Sequence, residues 1–432
     1  MIKKKTLLRT ITIVAAGLVA CLLAQTTQAS TVQVGGCKTG LTNFTKIQDA
    51  VNAVPPGSTI DVCPGTYPEQ VIIIQKVTIV GVPAGSLDAA VVSVPASGLV
   101  ANGTDIFGNS VAAQIFVQNA TGVTISHITV DGSNNQLNSC GSPNPIGIYY
   151  QNSGGAITDN VTRNQIMAPG LQGCQLGLAI NVESNSGTPV VNISNNSVRN
   201  YDKNGITVSG PGTGGGPNVT VSANTVIGLG ATSVTAQNGI QIGLGASGKV
   251  MGNNVADDIF TGPTFGSSGI LIFASSGITV SGNVVDSTQL GIVPATDPTF
   301  GPADNTFINA NHIGGTQTFD AIDLCSNNDT AELNIIYGSA ESAIHVDDEC
   351  PGPGSTPSGN NNVVRTNTIN EACAGILLGS GTGNTIGSNT FFNVVNITLA
   401  GNSCPAVAMA SANKAGGSGE KHQSLRPSPY KR

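Results

Sequence analysis

The feature of this chain that most restricts its fold is a short repeat centred on an asparagine. In residues 277–293, an alternating run that contains Ile278 and Val280 leads into a polar turn with Asn283, and a second apolar run follows. Alternation with a period of two is typical of a strand that buries one face. Equivalent asparagines recur at separations of 22 to 33 residues, at Asn164, Asn196, Asn224, Asn253, Asn311, Asn334, Asn367 and Asn389. A unit of roughly 28 residues is therefore repeated along the chain.

The second run of each unit indicates how the units assemble. It reads GITV at 205–208, GILI at 269–272 and AIHV at 343–346. A single unit cannot bury its own apolar face, so successive units must stack and share one core. Parallel stacking predicts an all-β fold, a single-stranded right-handed parallel β-helix of about ten coils, with the asparagines hydrogen-bonded from coil to coil. An antiparallel β-sandwich or barrel also uses many short strands, but it does not explain why asparagine recurs at the same position of the repeat.

Residues 1–29 are predicted to be an export signal peptide. Basic residues precede an apolar run at 11–23, and Thr27-Gln28-Ala29 offers a small-residue cleavage site. The apolar run is short for a transmembrane helix. In a competing interpretation, Leu18 to Cys21 resembles the lipobox of bacterial lipoproteins, and a lipidated Cys21 would tether the chain to a membrane. Both interpretations predict export, either as a secreted protein or as one anchored at the cell envelope.

Eight further cysteines agree with export, because disulfides persist in oxidising compartments. They occur two by two along the chain, at separations close to one unit, and none has the close spacing of a zinc site. Neighbouring turns of a stacked coil would bring such pairs together. The predicted disulfides are Cys37–Cys63, Cys140–Cys174, Cys325–Cys350 and Cys373–Cys404.

The segment 44–82 is predicted to cap the first coil. Apolar residues at helical spacing indicate a short helix at 45–54, with Thr45 and Gln48 as a candidate capping box. Strand-like pieces follow at 58–81. A helix at this end would cover apolar residues and strand edges that would otherwise face water.

The run FTKIQDAVNAVPPGSTIDVCPGTYPEQVII, followed by VTIVG, resembles the N-terminal cap and first coil of the pectin lyase-like superfamily. The asparagine-bearing units, with regular coils at 155–401, resemble its β-helix repeats. The resemblance implies a right-handed parallel β-helix. The superfamily includes pectate and alginate lyases, pectin methylesterases, polygalacturonases, epimerases, phage tailspikes and adhesins. A polysaccharide or cell-surface glycan is therefore the implied partner, and no nucleic acid is expected.

The β-helix domain is expected to span 30–408. From 409 to 432 the repeat pattern is lost, and the segment contains Gly, Ser and Pro together with five basic residues and a single Glu420. This composition is typical of a disordered basic tail.

The catalytic motifs of the superfamily are absent or incomplete. GNNVADDIFTG, at 252–262, is similar to a pectin methylesterase motif, but Thr261 is inserted, and the partner motif Gly-Arg-Pro-Trp cannot occur because the chain has no Trp. The Gly-His-Gly and Arg-x-Lys motifs of polygalacturonases are missing as well. A polysaccharide lyase or glycoside hydrolase and a non-catalytic protein both remain open.

The segment between Lys249 and Arg365 is strongly acidic, with 13 Asp and Glu residues and no Lys or Arg. It would repel an anionic polysaccharide unless a cation intervened. Ca²⁺ binds hard oxygen ligands of this kind. Ca²⁺ is therefore the cofactor considered, with Asp347, Asp348 and Glu349 as its expected ligands.

The densest group of ionisable residues becomes visible when the Ile322 strand is aligned with the Ile344 strand. This alignment places Asp323 one strand spacing, about 4.8 Å, from His345. A histidine beside a carboxylate can serve as a general acid or base. The alternative is a solvated pair on a polar outer face. The predicted catalytic residues are Asp323, His345, Asp347 and Asp348.

Together, these observations predict a secreted β-helix protein that binds or processes a polysaccharide in a lyase-like or hydrolase-like manner. The alternative is a non-catalytic surface, adhesive or structural β-helix protein. Contact with a membrane is expected only if Cys21 is lipidated.

Overall fold

The computed structural model describes residues 28–85, 88–212, 215–262, 266–316, 318–350 and 358–404. These residues form a right-handed parallel β-helix, as predicted. The strands lie on three faces of the coil. Within the described residues, one strand pair is antiparallel, Gly103–Thr104 with Ser110–Gln118. The sequence-based estimate of about ten coils stays a prediction.

The first face is a 14-stranded sheet made of Thr31–Val34, Asn43–Phe44, Ser58–Val62, Val77–Gly81, Val123–Ser126, Gly155–Thr158, Val190–Ser194, Asn218–Ser222, Ser247–Met251, Thr279–Ser281, Phe307–Asn309, Thr330–Glu332, Val363–Arg365 and Thr385–Ile386.

The second and third faces together form a 22-stranded sheet. The second face consists of Gly65–Pro68, Ala90–Ser93, Thr129–Asp131, Val161–Gln165, Ser197–Tyr201, Thr225–Thr232, Asn254–Phe260, Val284–Asp286 and His312–Gly314. The third face consists of Val71–Ile73, Gly103–Thr104, Ser110–Gln118, Asn144–Gln151, Leu178–Glu183, Asn204–Ser209, Asn238–Gly243, Ser268–Phe273, Leu290–Ala295 and Ile322–Leu324. Three long strands contribute to both faces, namely Ile335–Val346, Thr368–Leu378 and Thr390–Ala400.

The core is a set of apolar columns that run along the axis of the helix. In the first face, Ile193, Val221, Val250, Val280 and Ile308 are paired in register from coil to coil, and all five are fully buried. Burying a side chain of this size contributes roughly 1.5–3 kcal/mol. Each unit therefore depends on its neighbours for a closed core, as the repeat predicts.

A ladder of asparagines follows the first face. Asn253 is representative, because its Nδ2 donates to the Val221 carbonyl at 3.0 Å and to Asn283 Oδ1 at 2.9 Å. Its Oδ1 accepts from the backbone N of Asn224 at 3.0 Å and from Nδ2 of Asn224 at 2.9 Å. The ladder comprises Asn160, Asn196, Asn224, Asn253, Asn283, Asn311, Asn334, Asn367 and Asn389.

The first ladder residue is Asn160, so the sequence-based choice of Asn164 is wrong. The ladder asparagines from Asn160 to Asn367 each lie two residues after the end of a first-face strand, and Asn389 lies three residues after one. Asn164 instead has a left-handed backbone with φ of 66°, and its side chain donates to Asp131. One coil earlier, Ile128 occupies the ladder position, and its N–H donates to Asn160 Oδ1 at 3.0 Å.

A helix at Ile47–Ala53 covers the N-terminal end, and it is shorter than the predicted 45–54. The predicted capping box of Thr45 and Gln48 is wrong, because Lys46 is the N-cap residue and no side chain caps from that position. The carboxylate of Glu69 instead accepts the backbone N–H groups of Ile47 at 2.8 Å and Gln48 at 3.0 Å. Because this cap comes from the adjacent coil, it accepts the unpaired N–H groups at the start of the helix and also holds the helix against that coil.

A Glu69→Ala variant should lose about 1 kcal/mol of stability, since a lost N-terminal cap costs roughly 0.5–2 kcal/mol. Amide hydrogen exchange at positions 47 and 48 should accelerate while exchange in the central coils is unchanged. Glu69→Gln retains one acceptor oxygen, so its stability and its exchange rates at positions 47 and 48 should lie between those of the unsubstituted protein and Glu69→Ala. Unchanged exchange in Glu69→Ala would show that the helix does not need this cap.

All four predicted disulfides are present, with Cα–Cα distances from 5.2 to 6.2 Å. Residues 1–27 of the predicted signal segment 1–29, which include Cys21, and the predicted tail 409–432 lie outside the described residues. Among the residues that are described, none belongs to a helix long and apolar enough to cross a bilayer.

Candidate functional site

The predicted strand alignment at the acidic segment is correct. Ile322 pairs with Ile344, and Asp323 pairs with His345, in adjacent parallel strands of the third face. Both Asp323 and His345 point away from the apolar core, because the flanking residues of each strand belong to that core. The third face therefore places these two side chains next to each other on its outer side.

Asp320 joins this pair and was missed by the sequence analysis. His345 Nδ1 lies 3.3 Å from Asp320 Oδ2 and 3.8 Å from Asp323 Oδ1. Asp320 is held in place by Ser342, whose backbone N and hydroxyl both donate to Asp320 Oδ1 at 3.0 and 2.5 Å. The signal available in the sequence was the position of Asp320, two residues before the strand Ile322–Leu324 and in line with Ser342 of the next coil.

The cluster is buried, which corrects the expectation of a solvated outer face. His345 and Asp320 are fully buried, and Asp323 is 5 % exposed. Two distant segments help to cover the outer side of these coils. Asn402, beyond the last strand, reaches His345 Nε2 with its Oδ1 at 3.4 Å. Phe300 packs with the Cys325–Cys350 disulfide in a second apolar cluster outside the coil.

The charge state of His345 follows from its surroundings. Complete burial lowers the pKa of His345, but the hydrogen bond to Asp320 and the charges of Asp320, Asp347 and Asp323 outweigh burial and raise the pKa to about 10. In the metal-free protein the imidazole is therefore a cation at neutral pH. An imidazolium cannot accept a proton, so this geometry does not favour His345 as a general base.

The expected calcium ligands make contacts of different kinds. Asp347, which is 3 % exposed, accepts the backbone N–H of Glu349 at 2.7 Å and lies beside the disulfide, 2.9 Å from Cys350 Sγ. Asp348 accepts the Ser380 hydroxyl. Partial burial raises the pKa of Asp348, but hydrogen bonds from Ser380 outweigh burial and lower it. A calcium site at Asp347, Asp348 and Glu349, and catalytic roles for Asp323, His345, Asp347 and Asp348, stay predictions.

A second candidate surface is an exposed aromatic strip on the second face, in the last coils. In one row, Asp286, Gly314, Tyr337, Asn370 and Phe392 are paired in register. Tyr337 is 43 % exposed and Phe392 is 54 % exposed. They lie two strand spacings, about 9.6 Å, apart. We call this row, together with its neighbouring row of Val284, His312 and Ile335, the aromatic strip.

The aromatic strip is structured. The rings of His312 and Tyr337 meet edge to face, with centroids 5.8 Å apart. The Tyr337 ring covers Gly314, where an added Cβ would lie 2.2 Å from Tyr337 Cζ. Partial desolvation and the neighbouring carboxylate of Asp286 raise the pKa of Tyr337. The row thus combines flat apolar rings with carboxylate and amide hydrogen-bonding groups.

A cavity of about 370 Å³ lies beside the Cys140–Cys174 disulfide. Its one ionisable side chain among the described lining residues is Asp105. This carboxylate accepts the backbone N–H groups of Phe107 and Asn109 and the side-chain amide of Asn109. These hydrogen bonds organise the surrounding loop, so Asp105 serves the fold of that loop.

One protein-family model matches residues 259–414, about a third of the chain, and is described as "Periplasmic copper-binding protein (NosD)". The comparison with curated proteins gives no match. Because the family model covers less than half of the chain, it describes a similarity of the C-terminal coils.

Solved structures match over most of the chain. They include a GH136 lacto-N-biosidase from Eubacterium ramulus, with 10 % identity, a TM-score of 0.53, and 84 % of this chain and 68 % of that chain covered. PfbA, a surface adhesin of Streptococcus pneumoniae, has 15 % identity, a TM-score of 0.51, and 85 % and 92 % coverage. The Dettilon tailspike protein has 14 % identity, a TM-score of 0.52, and 78 % and 62 % coverage.

The chain is a right-handed parallel β-helix protein. At these identities the similarity shows the fold that the sequence predicted, a right-handed parallel β-helix. Four disulfides, together with a match to a family described as periplasmic, indicate a location outside the cytoplasm.

Proposed function

We propose that this protein is secreted and binds a linear polysaccharide or cell-surface glycan through the aromatic strip. The observation that carries the proposal is the in-register row in which Tyr337 and Phe392 are both exposed and Asn370 lies between them. Val284 and Ile335 in the neighbouring row are exposed as well, and monomeric proteins rarely expose a large apolar patch unless that surface binds a partner.

The chemistry of the strip suits a sugar chain. The apolar face of a pyranose ring stacks on an exposed aromatic ring, and its hydroxyl groups need polar partners beside the ring. Asp286 and Asn370 supply such partners in the same row as Tyr337. Because parallel strands repeat at a constant spacing, successive sugar units can meet equivalent positions along the axis.

Known proteins of this fold support a carbohydrate or surface role. A lacto-N-biosidase, a surface adhesin and a tailspike protein are among the structures with a similar fold. The incomplete catalytic motifs favour binding without turnover. Lyase or hydrolase activity that uses Asp323, His345, Asp347 and Asp348 is the rival proposal.

The test begins with a glycan array and continues with calorimetry on the tightest ligand. Tyr337→Ala and Phe392→Ala should each weaken binding about 10- to 100-fold, as expected for exposed aromatic anchors. Gly314→Ala should also weaken binding, because the added methyl group displaces the Tyr337 ring. The matched control is Phe307→Ala, which removes an aromatic ring that is 37 % exposed on the first face.

Binding that survives both aromatic substitutions would refute the strip as the site. Release of reducing ends or of unsaturated products should be measured on the same polymers. Turnover that disappears in Asp323→Asn while binding persists would favour the catalytic rival.

A second candidate function is the binding of a transition-metal ion. The family model described as copper-binding covers the residues that supply Asp320, Asp323 and His345. One donor atom from each of these three residues lies within 4.8 Å of the others. Titration of the purified protein with Cu²⁺ tests this function directly.

A further inference from the structure

We propose that Asp320, Asp323 and His345 form a binding site for one divalent transition-metal ion, with His345 Nδ1 and one oxygen of each carboxylate as ligands. The inference rests on the second candidate function and assigns it to particular atoms. It differs from the expected calcium site, which uses Asp347, Asp348 and Glu349.

The orientation of the His345 ring is the first argument. Asn402 Oδ1 faces Nε2 at 3.4 Å, so Nε2 is placed to donate its hydrogen to an amide oxygen. Nδ1 then faces the two carboxylates, at 3.3 Å from Asp320 and 3.8 Å from Asp323. One donor atom from each of the three residues lies within 4.8 Å of the others. A proton on Nδ1 can satisfy them, and a metal ion can take the place of that proton.

The distances fit a metal ion with little movement. Two ligands that each lie about 2.1 Å from a metal ion, at angles of 90–110°, are roughly 3.0–3.4 Å apart. The observed separation of 3.3 Å falls within this range, and the separation of 3.8 Å exceeds it by a few tenths of an ångström.

The second argument is that hydrogen bonds from neighbouring residues hold two of the ligands in place. Metal-binding histidines usually donate their other ring N–H to an oxygen, which fixes the tautomer, and ligating carboxylates are themselves hydrogen-bonded. Asn402 faces Nε2, and Ser342 donates twice to Asp320. Asp323 and His345 belong to paired strands of the third face, and Asp320 lies two residues before the first of them, so the strand pairing positions all three ligands.

The donor set selects the class of ion. One imidazole nitrogen with two carboxylate oxygens suits Cu²⁺, Zn²⁺ or Ni²⁺, and Cu²⁺ generally binds such ligands most tightly. Ca²⁺ prefers six to eight oxygen ligands, so a site with a nitrogen ligand disfavours it. Cys325 and Cys350 lie nearby but are bonded to each other, so they do not offer the thiolates that Cu⁺ prefers.

The experiment uses the purified exported chain, first treated with a chelator and then titrated calorimetrically with Cu²⁺, Zn²⁺ and Ca²⁺. Electron paramagnetic resonance of the Cu²⁺ form should show coupling to one imidazole nitrogen. We expect one equivalent of Cu²⁺ or Zn²⁺ to bind more tightly than Ca²⁺. His345→Gln and Asp323→Asn should each weaken binding by more than about 100-fold, because loss of a supporting partner alone costs 10–100-fold.

The matched control is His127→Asn, which removes an exposed histidine of the N-terminal coils at a left-handed position (φ of 56°) that asparagine tolerates, and it should leave metal binding unchanged. Circular dichroism should confirm that every variant remains folded. If His345→Gln misfolds, the metal affinity of Asp323→Asn and the coupling to an imidazole nitrogen in the unsubstituted protein decide whether these residues are the ligands. Unaltered binding in both ligand variants would overturn this assignment while the metal-binding function stands. Absence of tight Cu²⁺ or Zn²⁺ binding in the unsubstituted protein would overturn both.

Discussion

An Asn253→Ala variant is expected to lose about 3–5 kcal/mol of stability, because unpaired buried polar groups cost about 1–3 kcal/mol each. Asn253 is 1 % exposed, and its side chain takes part in four hydrogen bonds within the stack. Alanine leaves the Val221 carbonyl, the Asn224 backbone N–H and the facing amide groups of the ladder without these partners. Water cannot easily replace them, since the site lies inside the turn between two closed coils.

Urea unfolding followed by circular dichroism measures this effect. The matched control is Asn192→Ala, since Asn192 lies exposed on the same face and its side chain donates only to Ser194 among the described residues. The control should change stability by less than about 0.5 kcal/mol. Equal unfolding midpoints for the two variants would contradict a structural role for the ladder.

The ladder also shows what can be predicted from the repeat. The register of the strands and the positions of the ladder asparagines depend on the number of residues between them within one coil. This number is visible in the sequence because the same short pattern recurs in each coil. The pairing of Asp323 with His345 was predicted in this way and is correct. The choice of Asn164 was wrong because its unit is irregular, and Asn160 is the residue at the required distance from its strand.

The environment of the candidate site could not be predicted by the same reasoning. Whether His345 is exposed depends on segments outside its own coil. Asn402, 57 residues away in sequence, contacts its ring, and Phe300 packs in the neighbouring apolar cluster. Likewise, the carboxylate that caps the helix belongs to Glu69, more than 20 residues downstream. Such contacts between distant segments cannot be predicted from the local alternation of a strand or the spacing of a helix.

Asp202 and Lys203 are two adjacent ionisable residues that are buried between Ser197–Tyr201 and Asn204–Ser209. Asp202 is fully buried and accepts the backbone N–H of Met167 at 2.6 Å. Lys203 is 5 % exposed and donates to the Ala236 carbonyl at 2.6 Å. Burial raises the pKa of Asp202 to about 7 and lowers the pKa of Lys203 to about 7.

The two shifts affect stability in separate pH windows. A carboxyl group whose pKa is higher in the folded state stabilises the fold at low pH, and this stability is lost as pH rises from 3.8 to about 7. A lysine whose pKa is lower in the folded state destabilises the fold below about 7, and stability returns as pH rises toward 10.5. These two residues together should place a minimum of stability near neutral pH.

Asp202→Asn should abolish the loss of stability between pH 3.8 and about 7, and Lys203→Met should abolish the rise in stability between about pH 7 and 10.5. Asp202→Asn should gain at most about 4 kcal/mol at pH 8 relative to the unsubstituted protein and little at pH 4, since one pKa unit corresponds to about 1.4 kcal/mol. Lys203→Met should gain most at pH 5–6 and little above pH 10, because only the protonated amine resists burial. Urea unfolding from pH 4 to 10 measures both difference curves. A gain for Asp202→Asn that is the same at pH 4 and pH 8 would show that this carboxyl group does not titrate within the fold.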